Sequence, residues 1–111
     1  MSIKVFIVDD HALVRTGFRL ILGREVDIEV VGEAESGEEA LPQIRKLKPD
    51  VVLCDLHLPG ISGLEVTERV VRGDYGSKVI AVSVRNGSIH VDSSLFSRFG
   101  TDEIVFTTIC F

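Results

Sequence analysis

Short apolar runs alternate with amphipathic segments along most of the chain. Continuous runs rich in β-branched residues cover residues 3–8, 51–54 and 78–82, and a shorter one covers residues 28–31. Runs of this length and composition are typical of strands that are buried on both faces of a parallel sheet. Between these runs, apolar residues recur at the spacing of an α-helix. The pattern therefore predicts strands that alternate with helices.

Three amphipathic segments carry helix-start signals. Asp10 is a candidate N-cap for a helix over residues 11–22, and Ser36-Gly37-Glu38-Glu39 and Ser62-Gly63-Leu64-Glu65 have the form of capping boxes. The predicted apolar faces are Val14, Phe18, Ile21 and Leu22 in the first helix, Ala40, Leu41, Ile44 and Leu47 in the second, and Leu64, Thr67 and Val71 in the third. Pro42 lies beyond the first turn of the second helix, which we expect it to kink or delay.

Beyond Ser83 the signal is weaker. Apolar residues repeat every four positions over about residues 90–99, which permits a helix, although the serines there are poor helix formers. Residues 104–106 predict a fifth strand. Strands and helices that alternate through short loops imply a parallel sheet with helices on both faces, the doubly wound α/β architecture. We expect a single domain over residues 1–111.

Composition narrows the function classes. Hydrophobic residues make up 45% and charged residues 26% of the chain, which is typical of a globular domain rather than a disordered one. The net charge of −5 and the lack of a basic stripe argue against a nucleic-acid-binding surface. No apolar run is long enough to cross a bilayer, and no secretory signal is visible, so we expect a cytoplasmic protein without a membrane interaction. Cys54 and Cys110 match neither a redox motif nor a zinc spacing, and Cys54 is predicted to be a buried, inert thiol.

Acidic and hydroxyl side chains collect where the predicted strands end. The first strand ends at Asp9-Asp10, the third at Asp55 and the fourth at Ser83. Ligands of doubly wound sheets bind outside the carboxyl ends of the strands, so these groups share one pocket if the three strands are neighbours. Clustered carboxylates repel one another unless a cation lies among them, and Mg²⁺ suits a site with few carboxylates and a phosphoryl oxygen. Helix capping alone would explain Asp9-Asp10, but it would not require Asp55 at the same edge.

The paired carboxylates are not accompanied by a nucleotide-binding motif, and two histidines lie near them in sequence. The chain has no GxxxxGK[ST] loop and no GxGxxG loop after the first strand, so a nucleotide-binding function lacks its usual motifs. We expect His11 to point to solvent from the first helical turn. We expect His57 to contribute its backbone carbonyl rather than its imidazole.

Two segments of the chain resemble a known family. They are Val8-Asp9-Asp10-His11-Ala12-Leu13-Val14-Arg15-Thr16-Gly17 and Asp50-Val51-Val52-Leu53-Cys54-Asp55-Leu56-His57-Leu58-Pro59-Gly60-Ile61-Ser62-Gly63-Leu64-Glu65, and they resemble receiver domains of bacterial two-component response regulators. The first segment is similar to the NarL/FixJ-type subfamily, whose members carry a LuxR-type helix-turn-helix effector domain after the receiver. The resemblance covers residues 2 to about 84. It implies a flavodoxin-like receiver fold with a five-stranded parallel sheet of order 2-1-3-4-5.

The resemblance also implies a role for each residue of the pocket. Asp55 would be the phospho-acceptor, Asp9 and Asp10 the acidic pair, and Ser83 the switch hydroxyl that bonds the phosphoryl group. Asp10, Asp55 and the backbone carbonyl of His57 would ligate Mg²⁺, with Asp9 acting indirectly. The implied partner is a sensor histidine kinase or a phosphotransfer protein, with a homodimer as a further option. DNA would be reached only through an effector domain absent from this chain.

The last part of the chain departs from the family pattern. Receivers carry a lysine after the fifth strand that pairs with the phosphoryl group, but this chain has no lysine beyond Lys78. An alignment on Gly100-Thr101 places Thr107 at that position, and an ungapped count places Val105 there; the family's aromatic switch residue falls at Ile104. The family's fifth helix is also missing. A frameshifted tail, a diverged receiver and an engineered fragment all fit these residues.

Two functions fit the whole pattern. The first is a receiver, not an enzyme, that accepts a phosphoryl group on Asp55 from a histidine kinase in a phosphorelay and switches conformation to control transcription. The alternative is a pseudo-receiver, a protein-interaction module of the same fold that no longer signals by phosphorylation. A small phosphatase with Asp55 as nucleophile would need a second acid and a cap domain over its substrate, and the sequence offers neither.

Overall fold

One parallel sheet organises the structure. The computed structural model describes residues 2–73, 75–85 and 104–110, and for residues 83–85 and 104–110 it describes the backbone. In chain order the elements are β1 (Ile3–Val8), α1 (Ala12–Leu22), β2 (Ile28–Ala34), α2 (Gly37–Leu47), β3 (Val51–Asp55), α3 (Gly63–Arg72), β4 (Lys78–Arg85) and β5 (Ile104–Cys110). The strands lie in the order β2-β1-β3-β4-β5, and every neighbouring pair is parallel. The predicted doubly wound fold class is confirmed.

The helices α2 and α3 pack on one face of the sheet. Ser36 and Ser62 cap them as predicted, because each Oγ accepts a hydrogen bond from the backbone N–H three residues later, at 3.2 Å from Glu39 and 3.1 Å from Glu65. Within the described ranges, a hydrophobic core lies between these helices and the sheet. Its buried members are Phe6, Val8, Ala34, Ala40, Leu41, Ile44, Val52, Cys54, Leu58, Val66, Val70 and Val79. The burial of this apolar surface is the main force that stabilises the domain.

The face of α3 that packs on the sheet differs by one position from the prediction. Its buried residues are Gly63, Val66, Thr67 and Val70, at the spacing i, i+3, i+4 and i+7. Of the three predicted residues Thr67 is buried, whereas Leu64 and Val71 are only half-buried at its flanks. The reason is the close packing of Gly63 on the sheet, which fixes the rotation of the helix.

The second helix follows its prediction more closely. The predicted residues Ala40, Leu41 and Ile44 are buried in α2, while Leu47 at its end is 38% exposed. The helix runs without a break from Gly37 with Pro42 inside it, so the expected delay of its start was wrong. The capping bond of Ser36 fixes that start regardless of the proline.

The first helix lies on the opposite face of the sheet. Glu33 of β2 is in register with Ile7 of β1, so the two side chains share one side of the sheet. Arg15 and Arg19 of α1 both form ion pairs with Glu33. The helix therefore covers the face of Ile7, and the alternate residues of β1 face α2 and α3.

The start of α1 also differs from the prediction. Its N-cap is His11, in an extended conformation and without a side-chain hydrogen bond to the helix, so the prediction of Asp10 as the cap was wrong. The physical reason is that the Asp10 side chain lies in a cluster with other acidic groups. No residue of α1 is fully buried; Val14, Phe18 and Leu22 are half-buried, and Ile21 is 61% exposed.

Three strands are longer than predicted. β2 continues to Ala34, β4 to Arg85 and β5 to Cys110, in each case because hydrogen-bonded pairing with the neighbouring strand continues. The predicted helix over residues 90–99 lies outside the described residues. Within the described ranges, no helix is long and apolar enough to cross a membrane.

Candidate functional site

Four side chains meet at the carboxyl ends of β1 and β3. Asp9, Asp10 and His11 follow β1, and Asp55 is the last residue of β3. These strands are neighbours at the point where the strand order reverses, which is where doubly wound sheets bind their ligands. One ligand atom of each of the four residues lies within 4.8 Å of the others. The structure therefore brings the three predicted carboxylates together.

Backbone amides fix two of these carboxylates. The N–H of His11 donates to Asp9 Oδ1 at 2.8 Å, and the N–H of His57 donates to Asp55 Oδ1 at 2.9 Å. Each aspartate thus bonds the amide two residues later, the geometry of an Asx-turn, which sets the direction in which the chain leaves the strand. The two side chains are buried, with only 2% and 3% of Asp9 and Asp55 exposed. Metal binding by the backbone carbonyl of His57 stays a prediction.

The imidazole of His11 is mostly exposed to solvent, as predicted, but it also contacts the pocket, which the prediction missed. Its Nδ1 lies 3.1 Å from Asp9 Oδ1 and 3.0 Å from Asp10 Oδ1, although 62% of the side chain is exposed. The hydrogen bond to Asp9 and the charge of Asp10 raise the pKa of His11 above its usual value. Because His11 is an extended N-cap residue rather than the first residue of the helix, its ring turns back toward the two aspartates. Adjacency in sequence was the only signal for this contact.

The crowding of the acidic groups changes the protonation of Asp55. Burial raises the pKa of Asp55, and the charges of Asp9 and Asp10 raise it further against the opposing hydrogen bond from His57. Asp10 Oδ1 is buried and makes no hydrogen bond within the described part of the chain, although it lies at ion-pair distance from His11. A carboxylate oxygen in this situation is a ready ligand for a cation. The donor set therefore fits a hard divalent cation that prefers carboxylate oxygens.

Arg15 is a second residue of the site that sequence reasoning missed. Its Nη1 donates a 2.6 Å hydrogen bond to the backbone carbonyl of Asp9. Its Nε lies 3.5 Å from Glu33 Oε1, and Arg19 Nε lies 2.9 Å from Glu33 Oε2. No local pattern announces these contacts, because only the pairing of β2 with β1 brings Glu33 beside α1.

The loop that follows β3 is held at both ends. Glu38 Oε1 accepts a 2.7 Å hydrogen bond from the N–H of Ile61, and this bond lowers the pKa of Glu38. Gly60 lies beside that carboxylate with a φ of +72°, in the left-handed region that favours glycine. Gly63 packs so closely on the backbone carbonyl of Asp55 that a Cβ would overlap it. The loop therefore leaves Asp55 along a fixed path.

Strand register places the remaining predicted residues near the same edge. Asp55 pairs with Val82 and Val82 pairs with Thr107, so these three residues form one row across the sheet. Ser83 lies one position further along β4 and pairs with Thr108. The direction of the Ser83 side chain lies outside the described residues, so its switch role stays a prediction.

Cys54 lies directly beneath the pocket. The side chain is completely buried, and its thiol makes weak hydrogen bonds to the backbone carbonyls of Asp55, at 3.5 Å, and Gly63, at 3.7 Å. Burial raises the pKa of Cys54 to about 12, with the charges of Asp55 and Asp9 adding to the effect. The predicted burial of this thiol is confirmed, and its inertness stays a prediction.

Comparisons with known proteins agree with this geometry. The family model described as response regulator receiver domain matches residues 5–105. Response regulator GacA of Pseudomonas syringae pv. syringae is 54% identical over 82 residues, which is 74% of this chain and 38% of that protein. This aligned length agrees with the predicted resemblance up to about residue 84, whereas the family model continues into β5. The chain thus spans well under half of the length of this curated relative.

Solved structures give the same result. A two-component response regulator of the LuxR family from Aurantimonas sp. superimposes with a TM-score of 0.81 at 30% identity, covering 97% of this chain and 74% of that one. The isolated REC domain of RcsB from Salmonella enterica serovar Typhimurium, solved in the presence of phosphomimetic BeF3−, superimposes with a TM-score of 0.78 at 26% identity. The latter match covers 96% of this chain and 78% of that one.

Proposed function

This chain belongs to the response regulator receiver domain family, and we propose that it accepts a phosphoryl group on Asp55 and passes the signal on through a change of conformation. Receiver domains of the GacA type are signalling proteins rather than enzymes. The matches to GacA and to a LuxR-family regulator also confirm the predicted NarL/FixJ-type resemblance. Phosphorylation of this particular pocket is the part that we propose.

The convergence of three carboxylates on one buried acceptor is the observation that carries this proposal. Asp9, Asp10 and Asp55 come from two strands, and their ligand atoms lie within 4.8 Å of one another. Three carboxylates at this distance are unfavourable in a purely structural role, because like charges repel, and burial together with the charges of Asp9 and Asp10 raises the pKa of Asp55. The arrangement is favourable when a cation and a phosphoryl group bind together at the strand ends.

In the proposed transfer, a carboxylate oxygen of Asp55 attacks the phosphorus of a phosphohistidine in line. An O–P bond forms while the N–P bond breaks, and the electron pair of that bond leaves with the imidazole of the donor. The bond from the His57 amide limits rotation of the Asp55 carboxylate and so orients it for attack. Mg²⁺, held by Asp10, Asp55 and the His57 carbonyl with Asp9 acting indirectly, would supply positive charge to the phosphoryl oxygens.

The wider role of the protein is proposed from the same family membership. The donor would be a sensor histidine kinase or a phosphotransfer protein in the cytoplasm. We propose that Ser83 bonds the phosphoryl group and that this contact favours one arrangement of β4 and β5. Control of transcription would then require an effector domain, and dimerisation through the receiver is compatible with this output. The RcsB receiver was solved with the phosphomimetic BeF3−, so we propose the same reagent as a mimic of the phosphoryl group on Asp55 of this chain.

A pseudo-receiver is the second candidate, and one observation favours it. The row that contains Asp55 ends at Thr107 on β5, and no lysine follows Lys78 in the sequence. Without that cation, a phosphoryl group on Asp55 would keep part of its negative charge uncompensated. The chain would then act through protein contacts alone.

Phosphorylation by acetyl phosphate with Mg²⁺ separates the two candidates. Intact-mass spectrometry should detect one added phosphoryl group on the wild type and none on Asp55→Asn, which keeps the shape but removes the nucleophile. Asp10→Asn should react much more slowly because it removes a proposed metal ligand. An unmodified wild type at saturating phosphodonor and Mg²⁺ would favour the pseudo-receiver.

Thr107→Lys tests the missing cation directly. Removal of one preorganised electrostatic partner typically costs on the order of a hundredfold in rate, or roughly 3 kcal/mol. We therefore expect the wild type to react slowly and the variant to react up to a hundredfold faster, with a larger change in the amide NMR signals of β4. Val105→Lys serves as the control, because Val105 pairs with Ile80, two rows away from Asp55. Equal rates for the wild type and Thr107→Lys would mean that another group has taken over the role of the lysine.

A further inference from the structure

Arg15 connects the acidic pocket to Glu33 of β2. Its guanidinium donates a 2.6 Å hydrogen bond to the Asp9 carbonyl from one end and faces Glu33 from the other, 3.5 Å from Nε to Oε1. Only 14% of the Arg15 side chain is exposed, so both contacts lie in a setting where charge-assisted hydrogen bonds are strong. Arg15 stands one helical turn after His11, whose carbonyl accepts the Arg15 amide at 3.1 Å.

The peptide that Arg15 holds is the one that aims the pocket. The Asp9 carbonyl and the amide of Asp10 belong to the same planar unit, so a fixed carbonyl fixes the plane from which the Asp10 side chain departs. The opposite end of Asp9 is held by β2, because its amide donates to the Ala34 carbonyl at 3.1 Å. The carboxylate of Asp9 is held by the His11 amide. Arg15 thus completes the support of a residue that lies outside the regular sheet and helix.

We propose that Arg15 is a positioning residue for the acidic pocket, fixing the angle between the Asp9 and Asp10 carboxylates through the intervening peptide. The proposal rests on the proposed function, in which these carboxylates serve a bound cation. Supporting residues of metal sites typically change metal affinity by 10- to 100-fold when they are replaced. Arginine suits this role better than lysine, because its planar group reaches two acceptors at a fixed angle.

Arg19 provides a matched control in the same helix. Its Nε lies 2.9 Å from Oε2 of the same Glu33, and its Nη2 donates to the Thr16 hydroxyl rather than to Asp9. Half of its side chain is exposed. Replacement of Arg15 and of Arg19 therefore disturbs the same ion-pair group, while only the first removes the bond to the pocket.

The experiment compares Arg15→Gln, Arg15→Lys and Arg19→Gln with the wild type in three measurements. They are the dissociation constant for Mg²⁺ by calorimetry, the ¹⁵N and ¹H shifts of the Asp10 amide without metal, and the thermal unfolding midpoint. We expect Arg15→Gln to weaken Mg²⁺ binding about tenfold and to move the Asp10 amide signal. Arg15→Lys should change the Mg²⁺ affinity and the Asp10 amide signal less than Arg15→Gln does, and Arg19→Gln should change neither.

Each outcome has a defined meaning. Equal effects of Arg15→Gln and Arg19→Gln on Mg²⁺ affinity would overturn the proposal, because the ion pair with Glu33 would then be the cause. An unmoved Asp10 signal in Arg15→Gln would overturn it as well. If the wild type binds no Mg²⁺, the proposed function loses its cation, yet the Asp10 shift in metal-free protein still decides the positioning role. If Arg15→Gln does not fold, Arg15→Lys gives the same comparison, and an Arg15→Lys indistinguishable from wild type would overturn the proposal.

Discussion

Two regions of this domain use polar residues in opposite ways. In the helical flank, defined here as residues 36–47 and 62–72, Ser36 and Ser62 each satisfy a backbone amide, and the Thr67 hydroxyl donates to the Gly63 carbonyl. At the acidic edge, defined as Asp9, Asp10, His11 and Asp55, carboxylates crowd together instead. There the helix that follows begins without a side-chain cap.

This difference separates the source of stability from the source of function. The polar groups of the flank pair with the backbone, and its apolar groups fill the core. At the edge, Asp10 lies directly before His11, the N-cap residue of α1, and its carboxylate joins a cluster whose charges add to the effect of burial in raising the pKa of Asp55. A local cost of this kind is typical of functional sites, and the rest of the fold compensates for it.

The largest expected effect comes from the core of the flank. Ile44 is completely buried in α2, so Ile44→Ala should lower the free energy of unfolding by about 2–5 kcal/mol through lost burial and a new cavity. Leu47→Ala, in the same helix but at a residue 38% exposed, should cost clearly less. Urea unfolding followed by circular dichroism measures both. Mg²⁺ affinity should stay unchanged in folded Ile44→Ala, and a loss of affinity would blur the separation of the two regions.

Helix caps should give a smaller effect that differs between the regions. Ser62→Ala removes the bond to the Glu65 amide and should lower the free energy of unfolding by about 1 kcal/mol. Asp10→Ala should cause no comparable loss, because Asp10 does not cap α1. The same urea titration compares the two variants. A loss in Asp10→Ala as large as in Ser62→Ala would show that the acidic edge also stabilises its helix.

The smallest expected change has the opposite sign. The pKa of Asp55 is raised in the folded state, so the folded protein holds its proton more tightly than the unfolded chain, and ionised Asp55 opposes folding at neutral pH. Asp55→Asn should therefore raise the unfolding midpoint in EDTA at pH 7. The gain should shrink as the pH falls through the folded-state pKa of Asp55, where the wild type becomes neutral too. A variant less stable than the wild type at pH 7 would contradict this reading of the pocket.

Features that depend on neighbouring residues in sequence were predicted well. Both predicted serine caps form, and the strand ends that carry Asp9 and Asp55 were correctly located, because caps and apolar runs are local signals. The strand order followed from the family resemblance. The strand ends and the strand order together predicted that the three carboxylates lie at one edge of the sheet.

Features that depend on the exact packing of distant segments were missed. The contact of Arg15 with Glu33 requires the register of β1 with β2, which no periodicity encodes. The rotation of α3 depends on how closely Gly63 approaches the Asp55 backbone, and it moved the predicted face by one position. The turn of His11 toward the pocket depends on one extended residue at the start of α1. Each of these is a tertiary effect that overrides a weak local preference.

The alkylation rate of Cys54, beneath the acidic pocket, would report how often the domain opens locally. Burial raises the pKa of Cys54 to about 12, so the reactive thiolate is rare at pH 8, and burial also shields the thiol from reagents. Alkylation of Cys54 therefore requires β3 and α3 to separate. In a Cys110→Ser background, where Cys54 is the remaining cysteine, the alkylation rate measures how often this separation occurs. A phosphoryl group or a cation bound in the pocket above Cys54 would lower the alkylation rate only by keeping β3 and α3 packed together. The contact between β3 and α3 thus allows binding in the pocket to be detected through the alkylation rate of a buried thiol.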